Sequence, residues 1–228
     1  MKKLKKRVSA VLVAAGSSTR MGFDKLSFDL GGETVLHRSI RAFEQDPLVT
    51  EIVLVAGKNR AFVEQQAADC TKPVQIVTGG TTRAESAKNG VLAAAGKLVA
   101  VHDAARPFVS QAVITAALEA AARCGAAAPA VPVKDTIKVV NDHLIVDTPY
   151  RPHLFITQTP QVFKRQLYFE AVTFAEEHAL DFTDDCQLIE AINCKVYMTE
   201  GDYTNIKITT PEDIAIAEIL LARQKEEA

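Results

Sequence analysis

The chain has 228 residues, 48% hydrophobic and 24% charged, with a formal net charge of −2. That length can bury one substantial core and suits a single α/β domain, while the near-balanced charge supplies no general field for nucleic acid or anionic lipid. Four cysteines, Cys70, Cys124, Cys186 and Cys194, make no C-x-x-C and have no paired histidine, so neither zinc nor a disulfide framework is expected and the thiols read as reduced and structural.

The opening residues, MKKLKKRVSAVLVAA, have the basic start and short apolar run of a secretory leader. That reading is set aside. Ser9 interrupts the apolar run, Arg20 and Lys25 follow at once, and cleavage after Ala15 would delete a strand the rest of the chain needs. Lys2, Lys3, Lys5, Lys6 and Arg7 read as a solvated tail ahead of a strand at 8–14, and no stretch is long and apolar enough to span a bilayer. A cytoplasmic enzyme that binds neither membrane nor nucleic acid is expected.

A loop of small residues follows that strand: Ala14, Ala15 and Gly16, then Arg20 and Lys25. Small side chains let backbone N–H groups approach an anion, and the two cations supply the charge that a triphosphate needs. The spacing is neither G-x-x-x-x-G-K-[ST] nor G-x-G-x-x-G.

Next come an amphipathic helix at 34–43, a strand at 51–56, a helix at 60–67, a strand at 74–77 and a helix at 83–95. An apolar strand at 98–102, an alanine-rich helix at 110–124 and a strand at 127–133 continue the series. Strands apolar throughout and alternating with helices imply a mostly parallel sheet covered on both faces, with ligands outside the carboxyl ends of the strands. Two polar motifs fall at such ends. Gly79, Gly80 and Thr81 precede a helix carrying Ser86, where exposed backbone groups can meet a base or ribose; a plain turn and cap explains the same residues. His102-Asp103-Ala104-Ala105-Arg106-Pro107 follows the apolar strand. Asp103 can hold a sugar hydroxyl or a metal, and Arg106 can clamp a phosphate or Asp103 itself.

The alternation breaks at 135–147. Runs at 136–140 and 144–147 flank Asn141-Asp142-His143 and read as a hairpin, which is marginal alone and must pack on its own domain or on a partner subunit. The chain then returns to helices and short strands. A helix is expected at 164–177, and another at 183–191 capped by Thr183, with Asp184 and Asp185 read as first-turn acids rather than metal ligands. Thr210-Pro211-Glu212-Asp213 opens a final helix to about Gln224. Lys207, just before it, adds its charge to a helix N-terminus and suits a phosphate.

Together these motifs resemble the 2-C-methyl-D-erythritol 4-phosphate cytidylyltransferase family of the non-mevalonate isoprenoid pathway. The likeness runs through AAGSSTRMG, GGTTRAES, HDAARP, PVKDTIK, TQTPQVF and TDD to NIKITTPEDIAIAE and so covers essentially the whole length. Before Lys25 the chain is shorter than most members and closer to molybdenum-cofactor nucleotidyltransferases. The resemblance implies a Rossmann-like three-layer α/β/α nucleotidyltransferase fold with a β-arm at about 134–153 that makes a homodimer. It implies cytidylyl transfer from CTP with release of pyrophosphate, and Mg²⁺ bound mainly through the CTP phosphates. Ala14, Ala15, Gly16, Gly79, Gly80, Thr81 and Ser86 would surround the nucleotide. Arg20, Lys25 and Lys207 would serve catalysis. Asp103, Arg106, Thr136, Arg151, Thr159 and Lys207 would bind the tetritol phosphate, with Thr136 and Arg151 donated by the neighbouring subunit and Asp103 also a metal ligand. A ribitol 5-phosphate cytidylyltransferase and a non-catalytic nucleotide-binding regulator are the alternatives.

Overall fold

The structure, a computed structural model, describes residues 7–16 and 24–226. Strands and helices alternate as β1 (Val8–Ala14), α1 (Val35–Gln45), β2 (Val49–Ala56), α2 (Arg60–Gln66), β3 (Val74–Thr78), α3 (Arg83–Ala93), β4 (Leu98–Asp103), α4 (Gln111–Cys124) and β5 (Ala126–Pro132). A hairpin of β6 (Val139–Asn141) and β7 (Leu144–Asp147) follows. Then come β8 (Phe155–Thr157), β9 (Gln161–Lys164), α5 (Arg165–Glu177), α6 (Asp185–Glu190), β10 (Tyr197–Glu200) and α7 (Pro211–Glu226).

Polar residues start the helices where the chain leaves a strand. Thr34, Thr82 and Ser110 each accept a hydrogen bond from the backbone N–H three residues on, at His37, Glu85 and Val113. Each such cap is worth about 1 kcal/mol. The strands form an eight-stranded sheet in the order β10-β5-β9-β4-β1-β2-β3, with β8 on β5. Pairs β1–β2, β1–β4, β2–β3 and β5–β10 are parallel, whereas β9 is antiparallel to both β4 and β5, and β8 to β5. The mostly parallel, doubly covered sheet expected from the sequence is therefore the one observed.

Alternation along β1 sorts the core into two faces. Ala10, Leu12 and Ala14 join Leu36, Ile40, Phe43, Ile114 and Leu118 on one side; Val11 joins Val91, Phe163, Tyr168 and Ile189 on the other. Burying one such large side chain stabilises the fold by about 1.5–3 kcal/mol.

The arm differs from its expectation. Its first strand is Val139–Asn141 rather than 136–140, so Thr136 lies on exposed, irregular chain before it. Asp142 and His143 take positive φ of 46° and 64°, the backbone a two-residue hairpin turn of matching twist requires. Leu144, Ile145 and Val146 are 70%, 63% and 59% exposed on this hairpin. Among the described residues no helix is long and apolar enough to cross a membrane.

Candidate active site

The parallel strands bring their carboxyl ends to one edge, and β9, running the other way, starts there with Gln161 opposite Val101. Ala14 ends β1, and its carbonyl accepts a hydrogen bond from Asn59 Nδ2 at 3.1 Å. Asn59 Oδ1 in turn accepts Gly57 N–H at 3.1 Å, and Nδ2 lies 3.5 Å from Asp24 Oδ2. Asp24 caps the short 3₁₀ turn Lys25–Ser27 by accepting Leu26 N–H, so the same clamp that holds Ala14 places Lys25. Arg20 lies outside the described residues.

Gly79 N–H donates to Ala56 O at 2.8 Å, and a Cβ at Gly79 would collide with the methyl of Ala15. A side chain there would push the two loops apart. Ser86 Oγ accepts Gly80 N–H at 3.0 Å and donates to Thr82 O at 2.8 Å; the N–H and hydroxyl of Thr81 both donate to Glu85 Oε2, at 2.7 and 2.8 Å. The Thr81 and Ser86 hydroxyls thus shape the loop itself.

Asp103, at the end of β4, is 8% exposed and sits among three cations. Arg83 Nε donates to Oδ1 at 3.2 Å, Lys207 Nζ lies 2.8 Å from Oδ2, and Arg106 Nε is 4.0 Å from that oxygen. Burial opposes ionisation of Asp103, yet Arg83, Lys207 and Arg106 outweigh it and hold the carboxyl well below the usual carboxylate range. Arg83 Nη1 also donates to Asp185 Oδ2 at 2.6 Å. Its own charge is disfavoured by burial but secured by Asp185 and Asp103, which raise its pKa.

The segment after β10 is laced onto this cluster. Ile208 N–H donates to Ala105 O at 2.9 Å, Arg106 Nη1 to Asn205 O at 2.6 Å, and Asn205 Nδ2 to Thr159 O at 3.0 Å. Thr159 is 3% exposed, and its hydroxyl accepts Asp103 N–H at 3.1 Å while lying 2.9 Å from His102 Nδ1. His102 Nε2 lies 3.3 Å from Arg106 O, which can only accept, so Nε2 carries the proton and the Thr159 hydroxyl donates to Nδ1. Burial lowers the His102 pKa to about 3 and keeps the ring neutral.

Thr159 and Asp103 gain a setting, and one helix cap is corrected. Thr159 lies beneath the loop, where its hydroxyl donates to His102 Nδ1 and accepts Asp103 N–H. Both oxygens of Asp103 face cationic groups, a donor set that does not fit a protein-held magnesium ion. Helix α6 is capped by Asp184, which accepts Gln187 N–H at 2.9 Å, whereas Thr183 donates to Gln187 Oε1. Asp185 stands in the first turn, as expected, and is buried against Arg83 and Tyr168. The remaining expected residues belong to the arm: Arg151 Nη1 donates to Lys134 O at 3.0 Å, and Thr136 is exposed.

The sequence model described as 2-C-methyl-D-erythritol 4-phosphate cytidylyltransferase matches residues 8–223. The chain belongs to this family. It is 43% identical over 225 residues to the enzyme of that name from Caldanaerobacter subterraneus subsp. tengcongensis, covering 95% of this chain and 99% of the relative. The namesake from Geobacillus kaustophilus is 42% identical over 224 residues, with 96% and 98% covered. Among solved structures, the 4-diphosphocytidyl-2C-methyl-D-erythritol synthase of Anaerococcus prevotii superposes with a TM-score of 0.87 at 32% identity, covering 95% of this chain and 99% of that one. The Thermus thermophilus cytidylyltransferase gives 0.78 at 34% identity, with 94% and 98% covered.

As a family member the chain is a nucleotidyltransferase of isoprenoid biosynthesis, catalysing CTP-dependent cytidylyl transfer to 2-C-methyl-D-erythritol 4-phosphate. The ribitol 5-phosphate and regulatory alternatives are not favoured. Sequence reasoning passed over Arg83 and Asn59 as site residues. Arg83 stood inside the quoted GGTTRAES motif, but a partner twenty residues away and another across the sheet cannot be read from spacing.

Proposed function

We propose that the chain is one nucleotidyltransferase domain whose carboxyl-edge loops divide the two substrates between them. CTP lies over Ala14, Ala15 and Gly16 and against the Gly79–Gly80 backbone, with Arg20 and Lys25 on its triphosphate. The tetritol phosphate meets Asp103, Arg106 and Lys207, together with Thr136 and Arg151 from a neighbouring subunit's arm. The observation that carries this reading is the Asp103 cluster: Lys207 and Arg106 converge on a carboxylate beside the loops where Gly79 touches Ala15. Arg83, Arg106 and Lys207 exceed Asp103 and Asp185 by one positive charge, which suits an anionic acceptor.

The nucleophile is a phosphate monoester oxygen, already largely ionised at neutral pH, that attacks the α-phosphorus of CTP. The new P–O bond forms as the bond to the β-phosphate oxygen breaks, and pyrophosphate carries away the electron pair. No general base is needed. The obstacle is repulsion between anions, about 4 kcal/mol for two unit charges 4 Å apart at an effective dielectric near 20. Arg20, Lys25 and Lys207 offset it, and each well-placed contact to the developing charge is worth about 3–4 kcal/mol. Mg²⁺, held by the CTP phosphates, neutralises part of the triphosphate charge when bound.

The exposed apolar hairpin supports a homodimer built through the arm at about 134–153. The four unpaired cysteines support residence in the reducing cytoplasm. A pyrophosphate-release assay with CTP, Mg²⁺ and a panel of polyol phosphates tests the reading: turnover on 2-C-methyl-D-erythritol 4-phosphate well above that on ribitol 5-phosphate is expected, and the reverse order overturns it.

A further inference from the structure

We infer that Arg83 is a positioning residue for the acceptor half of the site, acting through Asp103 and anchored by a buried Asp185–Tyr168 pair. This rests on the proposed role of Asp103 in acceptor binding.

Arg83 is the first residue of α3, immediately after the loop assigned to the nucleotide. Its guanidinium faces two carboxylates, with Nε on Asp103 Oδ1 at 3.2 Å and Nη1 on Asp185 Oδ2 at 2.6 Å. Asp185 is itself fixed by two further hydrogen bonds, and one of its partners is tied to its neighbour Asp184. Its Oδ1 accepts the Tyr168 hydroxyl at 2.9 Å, its N–H donates to Gln161 Oε1 at 3.0 Å, and Gln161 Nε2 donates to Asp184 Oδ2 at 2.9 Å. Asp185, Tyr168 and Gln161 are 3%, 1% and 2% exposed, so this frame lies in the sheet and helix layers rather than at the reacting surface. The buried Asp185 charge is retained because Arg83 compensates it.

The geometry gives Arg83 a task that Lys207 and Arg106 do not share. Lys207 is 40% exposed at its side chain and can exchange Asp103 for an incoming phosphate, whereas Nε and Nη1 of Arg83 are each committed to a carboxylate. A planar fork spanning two anions fixes the rotamer of both. Asp103 Oδ1 is thereby held in one place, leaving Oδ2 as the oxygen shared with Lys207 and Arg106. Arg83 thus tethers the start of the nucleotide-side helix to the acceptor-side carboxylate.

The test compares steady-state kinetics of Arg83→Lys, Asp185→Asn, Tyr168→Phe and Asp103→Asn in the full-length enzyme with CTP, Mg²⁺ and 2-C-methyl-D-erythritol 4-phosphate. A lysine keeps the charge but cannot span both carboxylates, so Arg83→Lys is expected to raise acceptor KM about tenfold. Tyr168→Phe keeps the packed ring and removes only the hydroxyl that orients Asp185; acceptor KM should rise about two- to threefold while the KM for CTP stays unchanged. A purely structural role would lower stability without that split. If Asp103→Asn raises acceptor KM while Arg83→Lys and Tyr168→Phe, both folded by circular dichroism, leave it at the native value, the positioning inference fails alone. If Asp103→Asn also leaves acceptor KM unchanged, the assignment of Asp103 to the acceptor fails and takes the inference with it.

Discussion

The Asp103 cluster and the hairpin arm are built on opposite plans. Around Asp103 nearly every polar group finds its partner within the same chain, through Arg83, Lys207, Thr159 and the Asn205 segment. On the arm, apolar side chains at Val140, Leu144, Ile145 and Val146 are left more than half exposed. The first region is tied together within a single chain, with Arg106 Nε and Asn205 Oδ1 its buried polar atoms left without a hydrogen-bond partner. The second makes sense when another surface covers it.

The contrast can be broken most forcefully at the cations proposed to bind the triphosphate. Arg20→Ala or Lys25→Ala should lower turnover at least ~10²-fold with the fold intact by circular dichroism; near-native turnover in both would show that the first loop is misassigned. A charge on the arm, Ile145→Asp, should next convert the proposed dimer to monomer in sedimentation and reduce activity about tenfold or more, while the melting temperature of the main sheet changes little. A variant that stays dimeric and active would separate the arm from catalysis. Arg151→Ala should raise acceptor KM about tenfold and leave the KM for CTP alone. If only CTP binding suffers, the division of the site between subunits is wrong.

The smallest effect tests the internal ties of the Asp103 region. His102 has a folded pKa of about 3 against an ordinary 6.5, so between these values the unfolded chain binds the extra proton. Stability from this group is therefore fully present above pH 6.5 and falls as pH drops toward 3, by up to about 1.4 kcal/mol per pH unit. Asp103, whose pKa is depressed below 3.8, adds the same sign of dependence at still lower pH. Urea unfolding of His102→Gln from pH 4 to 6 should show a slope shallower by about one proton; an unaltered slope would mean that His102 titrates normally in the native protein.

Much of the fold is legible in the sequence because strands at the centre of a parallel sheet advertise themselves. β1, β2 and β4 are apolar nearly throughout, and Thr34, Thr82 and Ser110 mark the helix starts between them. The short strands β8, β9 and β10 are harder to place: three or four residues such as QVFK or YMTE carry too little period to distinguish strand from loop. Their pairing depends on contacts made more than twenty residues away, as Ala130 with Thr157 and Glu200 shows. The same limit applies at the site. Asp103, Arg106 and Lys207 are visible as polar residues at strand ends and helix starts. The burial of Thr159 beneath the loop, and the two-sided grip of Arg83, exist only after the antiparallel strands have brought 157–161 and 183–185 to the same edge.

The foot of the arm permits rearrangement of everything beyond it. β5 and β8 lie zipped together through Ala130–Thr157, Val131–Ile156 and Pro132–Phe155, so the outgoing and returning backbones emerge about 5 Å apart. A turn of a few residues could join them. The whole excursion is consequently a detachable cassette: it can be shortened, lengthened or exchanged for that of a relative without rethreading the sheet. If subunits pair through the arm as proposed, exchanging this cassette would redirect which subunits recognise one another while the sheet stays the same.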